Sequence, residues 1–162
     1  MAQVDYFLKI DGVEAESTDD KHKGEIEIES FSWGETQSGT AGHGAGGGAG
    51  KVQPQDFHFV KKLDKSSSRL FIACATGEHF KSAVLTARKA GGGQQEYLKV
   101  TMEEVLVSSF QVGGSSNSDV VPTDQVGLNF AKLEISYKEQ KADGSLGGEA
   151  KQKYDFAANK KI

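Results

Sequence analysis

Apolar and polar residues alternate along several short segments of this chain, and clusters of glycine separate the segments. In Val4–Ile10, every second residue is apolar, as in a half-buried β-strand. Glycine clusters at 91–93, 113–114 and 147–148 bound later segments of the same kind. This pattern is typical of an antiparallel β protein. It predicts further strands near Gln53–Lys61, Ser82–Lys89, Tyr97–Met102, Val105–Val112 and Lys151–Ala157.

Two longer segments, 25–33 and 125–137, shift their alternation by one residue part-way along. The shift falls near Glu29–Ser30 in the first segment and near Ala131 in the second, and each predicts a β-bulge. Bulged strands bend, so they favour a curled or closed sheet over a flat one. We therefore expect a mainly β fold, an antiparallel β-barrel of two curled sheets.

Two side chains stand out on the faces that the alternation turns away from the core. Ser32 points opposite to Phe31 and Trp33, which makes it a small polar group on a non-core surface. The alternation places Phe7 on the polar face of the first strand. Phe7 is either a singly exposed aromatic, which needs no explanation, or a contact with another subunit.

One short helix is predicted from about 66 to 77. Leu70, Ala73 and Cys74 have the spacing of a single apolar stripe. One of the serines at 66–68 can cap its N-terminus, and Gly77 suits the left-handed residue after its end.

A glycine-rich loop is expected at about 38–51, because seven of the twelve residues from 39 to 50 are glycine. Gly42–Gly47 formally matches the G-x-G-x-x-G pattern of dinucleotide-binding proteins, but a strand-like segment rather than a helix follows it. Phosphate binding is therefore disfavoured. A loop of this length often becomes ordered only against a partner.

Composition excludes several classes of protein. The 162 residues are enough for one domain, expected here over 1–162, with a folded surface of roughly 7,800 Å². The net charge of −4 and the presence of only two arginines argue against nucleic acid as a partner. Short apolar runs argue against membrane insertion, and the single cysteine excludes an internal disulfide. The N-terminus does not read as a secretory signal, so the chain is expected to be made in the cytoplasm.

No catalytic, cofactor or metal site is predicted. The four histidines, at 22, 43, 58 and 79, lack the spacing of a zinc site, and no serine elbow or converging pair of acids is found. By elimination, the residues indicate a binding or structural protein rather than an enzyme.

Several segments resemble the hemolysin-coregulated protein family, the tube subunit of the bacterial type VI secretion system. In order and spacing they run through nearly the whole chain: 7–10, 32–34, 46–52, 64–67, 73–77, 88–92, 95–98, 104–109, 128–131 and 140–144. The resemblance implies a β-barrel protomer that forms a hexameric ring. Rings of this family stack into a tube, which is tipped by a trimeric spike, lies inside a contractile sheath and can carry small effector proteins in its lumen.

The resemblance also assigns roles to residues of this chain. Ser32 is the candidate lumen and effector contact, and the alternative is a plain polar position on an outer sheet face. The candidate contacts between subunits or rings are Phe7 and, in the loop, Thr40, His43, Gly46, Gly47, Gly48 and Lys51. Export would pass through the secretion apparatus without a signal peptide, and the end of the chain after its last strand indicates the form without a toxin domain.

Two alternatives remain open at this point. A monomeric β-barrel that binds a small ligand would have a concave apolar pocket. A tail-tube protein of a phage-like particle is a close neighbour of the secretion tube. A hydrolase with an unrecognised site is a third class, for which the sequence offers no candidate residue.

Overall fold

The computed structural model describes residues 4–39, 50–89, 95–117 and 121–162, which form a mainly antiparallel β fold with one helix. The elements in chain order are β1 Val4–Ile10, β2 Ile26–Ile28, β3 Ser30–Ser32, β4 Glu35–Gln37, β5 Val52–Pro54, β6 Phe57–Lys62, α1 Ser66–Thr76, β7 His79–Lys89, β8 Glu96–Gly113, β9 Thr123–Asn129, β10 Lys132–Gln140, β11 Leu146–Asp155 and β12 Lys160–Lys161.

Strand β8 is the longest element and joins two regions of one ten-stranded sheet. Its first half lies between β7 and β10, in the order β12-β11-β10-β8-β7-β1-β2. Its second half pairs with β9, which continues to β6 and β3. The change of partner occurs around Glu104, a non-glycine residue with a φ of 55°. The two strands predicted at 97–102 and 105–112 are therefore a single strand that changes neighbours.

Both predicted shifts of alternation fall where a strand ends and the chain changes its pairing partner. β2 pairs with β1, whereas β3, which begins after Glu29, pairs with β6. Likewise β9 pairs with β6, and β10, which begins after Ala131, pairs with β11. The positions of the two irregularities were predicted correctly, but each separates two strands instead of bulging within one.

The expected closed barrel is not present among the described residues. The continuous ladder there ends at β2 on one side and at β3 on the other. Between them, the Glu29 N–H donates to the Val60 carbonyl at 2.8 Å, which draws β2 and β6 together without forming a ladder. The sheet stays open there because β2 and β3, each three residues long, pair with different neighbours.

Helix α1 covers the core side of β8 and matches the predicted position. Leu70 and Ala73 are fully buried, and Gly77 ends the helix with a φ of 68°, as predicted. The predicted serine cap is wrong. Lys65 occupies the cap position without a side-chain bond, and the carboxylate of Asp64 accepts the Ser66 N–H at 2.9 Å instead.

A buried ionic cluster fixes the start of this helix to the sheet. The Nζ of Lys61 lies 2.6 Å from Oδ2 of Asp124, and both side chains are fully buried. Lys61 also donates to Asp64 and Ser67, each at 2.9 Å. Ser67 in turn donates to Asp124 Oδ2, whereas Oδ1 of Asp124 has no hydrogen-bond partner in the described structure. The cluster thus joins β6, β9 and α1 through charged groups taken out of water.

Candidate functional site

The outward side of β3, β6, β9 and the second half of β8 carries mostly polar side chains without acidic groups, lysine or arginine in the two rows described next. Strand pairing aligns them in two rows across the four strands: Ser32–His58–Gly127–Ser109 and Ser30–Val60–Gln125–Gln111. Neither row contains Asp, Glu, Lys or Arg. We call this surface the serine face. It borders a groove of ≈ 500 Å³.

The other side of the same strands is apolar. Phe31, Phe59, Val126 and Phe110 form one layer beneath the serine face. Phe59 and Val126 are almost fully buried, and the rings of Phe31 and Phe57 stack 5.7 Å apart. This packed layer holds the four strands in register, so the polar rows above them have fixed spacing.

Gly127 lies in the middle of the serine face. A Cβ at this position would be 2.5 Å from Oγ of Ser109 and 3.0 Å from Oγ of Ser108. The pairing of β8 with β9 is irregular between Val107 and Ser109, which places the extra residue Ser108 beside the glycine. The missing side chain is therefore what allows two adjacent serines to share the surface.

A small hydrogen-bonded cluster borders the serine face. The carboxylate of Asp56 accepts from the Ser108 hydroxyl at 2.6 Å and from the Asn129 side-chain amide at 3.1 Å. Each carboxylate oxygen thus has a donor. The cluster links the segment before β6 to β8 and β9, and it holds the side of the groove in place.

The sequence-based placement of Ser32 is confirmed as far as its orientation: Ser32 is exposed and lies beside the exposed His58. The grouping of the remaining members with Ser32 on one face was not predicted. Gly127 could have been noticed as a glycine between the core residues Val126 and Leu128. Its neighbours across the sheet could not, because alternation gives the face of a residue and not the identity of its partner strand.

The expectation that Phe7 is exposed is wrong, since only 3% of its surface is accessible. His22 stacks on the ring at 4.4 Å with an angle of 8° between the planes, and the guanidinium of Arg88 lies 4.8 Å from its centroid. Both covering residues come from the same chain, and they leave little of Phe7 free for contact with another subunit.

Segment 11–25 is held over Phe7 by hydrogen bonds at both ends of the stack. Both ring nitrogens of His22 face carboxylates, Glu25 at 2.9 Å and Glu96 at 2.7 Å. Arg88 donates to both carboxylate oxygens of Asp19. These hydrogen bonds from Arg88 lower the pKa of Asp19 from 3.8 to about 2, and the same contact raises the pKa of Arg88. We call segment 11–25, together with its partners Arg88 and Glu96, the clasp.

Strands β4 and β5 form a two-stranded ribbon that pairs residues 35–37 with 52–54, at the base of the predicted glycine-rich loop. Of the candidate loop contacts, Lys51 is described and exposed. It lies at the border of a groove of ≈ 710 Å³ whose apolar lining includes Phe80, Phe130 and Phe156. The other loop candidates, Thr40, His43, Gly46, Gly47 and Gly48, lie outside the described residues.

In the described part of the chain, no three His, Cys, Asp or Glu side chains are grouped as metal ligands. No helix there is long and apolar enough to cross a membrane.

A family model described as "Type VI secretion system effector, Hcp" matches residues 7–137, which is most of the chain. This chain belongs to the Hcp family. Protein hcp1 of Pseudomonas aeruginosa is 49% identical to it over 146 residues, which cover 90% of each chain. As a member of this family, the chain is a subunit of the type VI secretion tube.

Solved Hcp structures have the same fold. The crystal structure of Hcp1 from Salmonella typhimurium superimposes with a TM-score of 0.81 at 36% identity and covers both chains completely. A structure titled "Structure of a type six secretion system protein" gives a TM-score of 0.91 at 29% identity, over 99% of this chain and all of the other. A type VI effector from Yersinia pestis gives 0.76 at 30% identity, over 93% of this chain and 99% of the other.

Proposed function

We propose that six copies of this Hcp chain close into a ring, that rings stack into the secretion tube, and that the serine face lines the lumen. The observation that carries the proposal is the uncharged surface of the two rows, held rigid by the apolar layer beneath. Two rows without Asp, Glu, Lys or Arg give a moving protein few strong ionic contacts. Cargo can therefore be held weakly and released.

In this proposal the lumen carries small effector proteins, the sheath surrounds the tube and a trimeric spike closes its tip. Assembly takes place in the cytoplasm, and export follows through the apparatus itself. The loop at about 38–51, with Thr40, His43, Gly46, Gly47, Gly48 and Lys51, makes the contact from one ring to the next.

The solution mass tests the ring. A hexamer would have a mass of about 104 kDa, six times the 17.3 kDa of the chain. Light scattering on a sizing column should give that value for the unmodified chain. A monomer of 17.3 kDa at all protein concentrations would contradict the proposal and would favour the small-ligand alternative.

The Ser32→Gln substitution tests the lumen. Ser32 is exposed on the serine face, so the longer side chain should leave the ring intact and weaken retention of cargo. The measurement is the amount of a small effector, co-expressed with the chain, that stays with the ring through gel filtration. Ser115→Gln, the same change at an exposed serine outside the two rows, is the matched control. Loss of the ring in Ser32→Gln alone would place Ser32 at a subunit contact instead.

Deletion within residues 39–50 tests the contact between rings. The shortened chain should form single rings and fail to form tubes, because β4 and β5 would still close the ribbon at the base of the loop. Electron microscopy of negatively stained samples distinguishes the two assemblies. Tubes of normal length from the shortened chain would show that stacking depends on another surface.

A further inference from the structure

The hairpin of β10 and β11 has one charged face and one uncharged face. On the charged face, Lys151 lies 3.5 Å from Glu134, and Ser136 donates to Glu149. The opposite face carries Ile135, Tyr137 and Ala150, and strand pairing places Leu98 of the neighbouring β8 beside Tyr137. We call these four residues the hairpin patch. In a sheet whose charged face is outside, an uncharged face is the side that normally packs against another element.

This uncharged face extends beyond the core of its own chain. Along β10, the residues that face the core become progressively more accessible: Leu133 is 5% exposed, Ile135 is partly buried and Tyr137 is 47% exposed. Ala150, which pairs with Tyr137, is exposed as well. Tyr97 interacts with both Tyr6 and Tyr137, and burial together with these two neighbours raises the pKa of Tyr97. The hairpin patch is therefore an apolar surface around Tyr137 that its own chain covers in part.

A second apolar surface lies on helix α1 and the end of β8. Phe71 is 58% exposed, and its ring lies 6.2 Å from that of Phe110. Val112, on the same side of β8 as Phe110, is also about half exposed. We call Phe71, Phe110 and Val112 the helix patch. Large apolar side chains exposed together are typical of an interaction surface.

The two patches lie near opposite ends of strand β8. Leu98 belongs to the hairpin patch and Phe110 to the helix patch, and eleven residues of the strand lie between them. Tyr137 and Phe71 both remain about half exposed, so the two patches do not cover each other within one chain. A closed ring of identical subunits needs two different surfaces on each subunit. One of these surfaces contacts the other surface of the next copy.

We infer that the hairpin patch of one Hcp subunit packs against the helix patch of the next, so that Tyr137 and Phe71 belong to opposite sides of one interface. The inference rests on the proposed ring and names the surfaces that hold it together. The occupant is a second copy because the family forms oligomers and because the chain carries both halves of the contact. Aromatic side chains at the centre of each half are the residue types that contribute most to protein interfaces.

Two charged substitutions, one in each patch, test the pairing. Tyr137→Glu removes the hairpin patch and Phe71→Glu the helix patch, and each residue is accessible enough for the monomer to fold. Each variant alone should lose the hexamer and elute as a monomer of 17.3 kDa. Ile162→Glu is the control, because Ile162 is as exposed as Tyr137 but lies outside both patches. It should keep the hexamer.

Mixing the two variants gives the sharper result. The Tyr137→Glu variant keeps an intact helix patch, and the Phe71→Glu variant keeps an intact hairpin patch. One contact can therefore form between the two variants. A third chain cannot bind, because the remaining patch on each partner carries the substitution. The mixture should contain a one-to-one dimer of about 35 kDa, twice the chain mass. The regained contact also shows that both variants are folded.

Three outcomes would overturn the inference. If both variants remain hexameric, the ring stands and these patches do not hold it. If folded variants, as judged by circular dichroism, stay monomeric when mixed, the patches do not meet each other. If either variant dimerises alone, its remaining patch pairs with its own kind. A monomeric unmodified chain would contradict the proposed ring itself.

Discussion

At the scale of single residues, Gly127 determines the room available on the serine face. The Oγ of Ser109 approaches closer than a Cβ at this position would allow, and the Oγ of Ser108 lies at the limit. The backbone is not in a left-handed conformation there, so the requirement for glycine comes from crowding alone.

Gly127→Ala should therefore lower the free energy of unfolding by about 1–3 kcal/mol, the usual cost of inserting a methyl group where none fits. Removing the nearer hydroxyl with Ser109→Ala should restore most of this loss in the double variant. Urea unfolding of the four proteins measures the coupling. If the two changes were simply additive, crowding against Ser109 would not be the reason for the glycine.

At the scale of elements, the clasp ties segment 11–25 to β1 and β7 through Asp19 and Arg88. The folded chain lowers the pKa of Asp19 to about 2, below the ordinary 3.8, chiefly by hydrogen bonding to Arg88. A carboxylate with a lowered pKa stabilises the fold above its ordinary pKa. That stabilisation is lost as the pH falls from about 4 toward about 2.

Asp19→Asn should remove this dependence on pH. The unfolding free energies of the parent and the variant should differ by a constant amount at neutral pH, and the difference should shrink as the pH falls through that range. The measurement is urea unfolding at a series of pH values. Asp20→Asn, at the exposed neighbouring position, is the control and should keep the parental profile. A difference independent of pH would show that Asp19 acts through neutral contacts.

The cluster around Lys61 attaches α1 to the sheet, and its buried ion pair should cost more to break than the half-exposed pair of Arg69 with Glu78. Asp124→Ala leaves the fully buried Lys61 without its nearest partner and should cost about 3–5 kcal/mol of stability. Replacing both residues, as Lys61→Met with Asp124→Leu, should recover much of it, because no buried charge remains on either side. Glu78→Ala breaks the half-exposed pair with Arg69 and should cost less than about 1 kcal/mol. Thermal unfolding would rank the three variants, and a double variant no better than Asp124→Ala would contradict the argument.

Secondary-structure elements were predicted well where the periodicity of apolar side chains determines them. The bounds of β1 and the end of α1 at Gly77 agree with the structure, and so do the positions where alternation shifts. The pairing partners of the strands could not be predicted, because the alternation of apolar and polar residues does not indicate which strand lies alongside. Phe7 was misplaced for a related reason: its cover, His22, belongs to a segment without regular structure, where no periodicity gives the position of a side chain.

At the scale of the whole molecule, the exposed apolar side chains favour a subunit over a free monomer. Tyr137 in the hairpin patch is 47% exposed and Phe71 in the helix patch is 58% exposed. Both belong to apolar surfaces that lie open to solvent. Burial of such surface between copies stabilises the folded state, because the assembly binds folded chains and not unfolded ones.

The thermal midpoint of this Hcp chain should consequently rise with protein concentration, since mass action favours the ring and the ring favours the fold. Tyr137→Glu, which removes one half of the contact, should unfold at a midpoint independent of concentration and below that of the parent. Ile162→Glu should follow the parent, because its equally exposed side chain lies outside both patches. Differential scanning calorimetry of dilute and concentrated samples measures all three. A thermal midpoint of the parent that does not change with protein concentration would mean that folding and assembly are independent. The hairpin patch would then have to be stable while exposed to solvent.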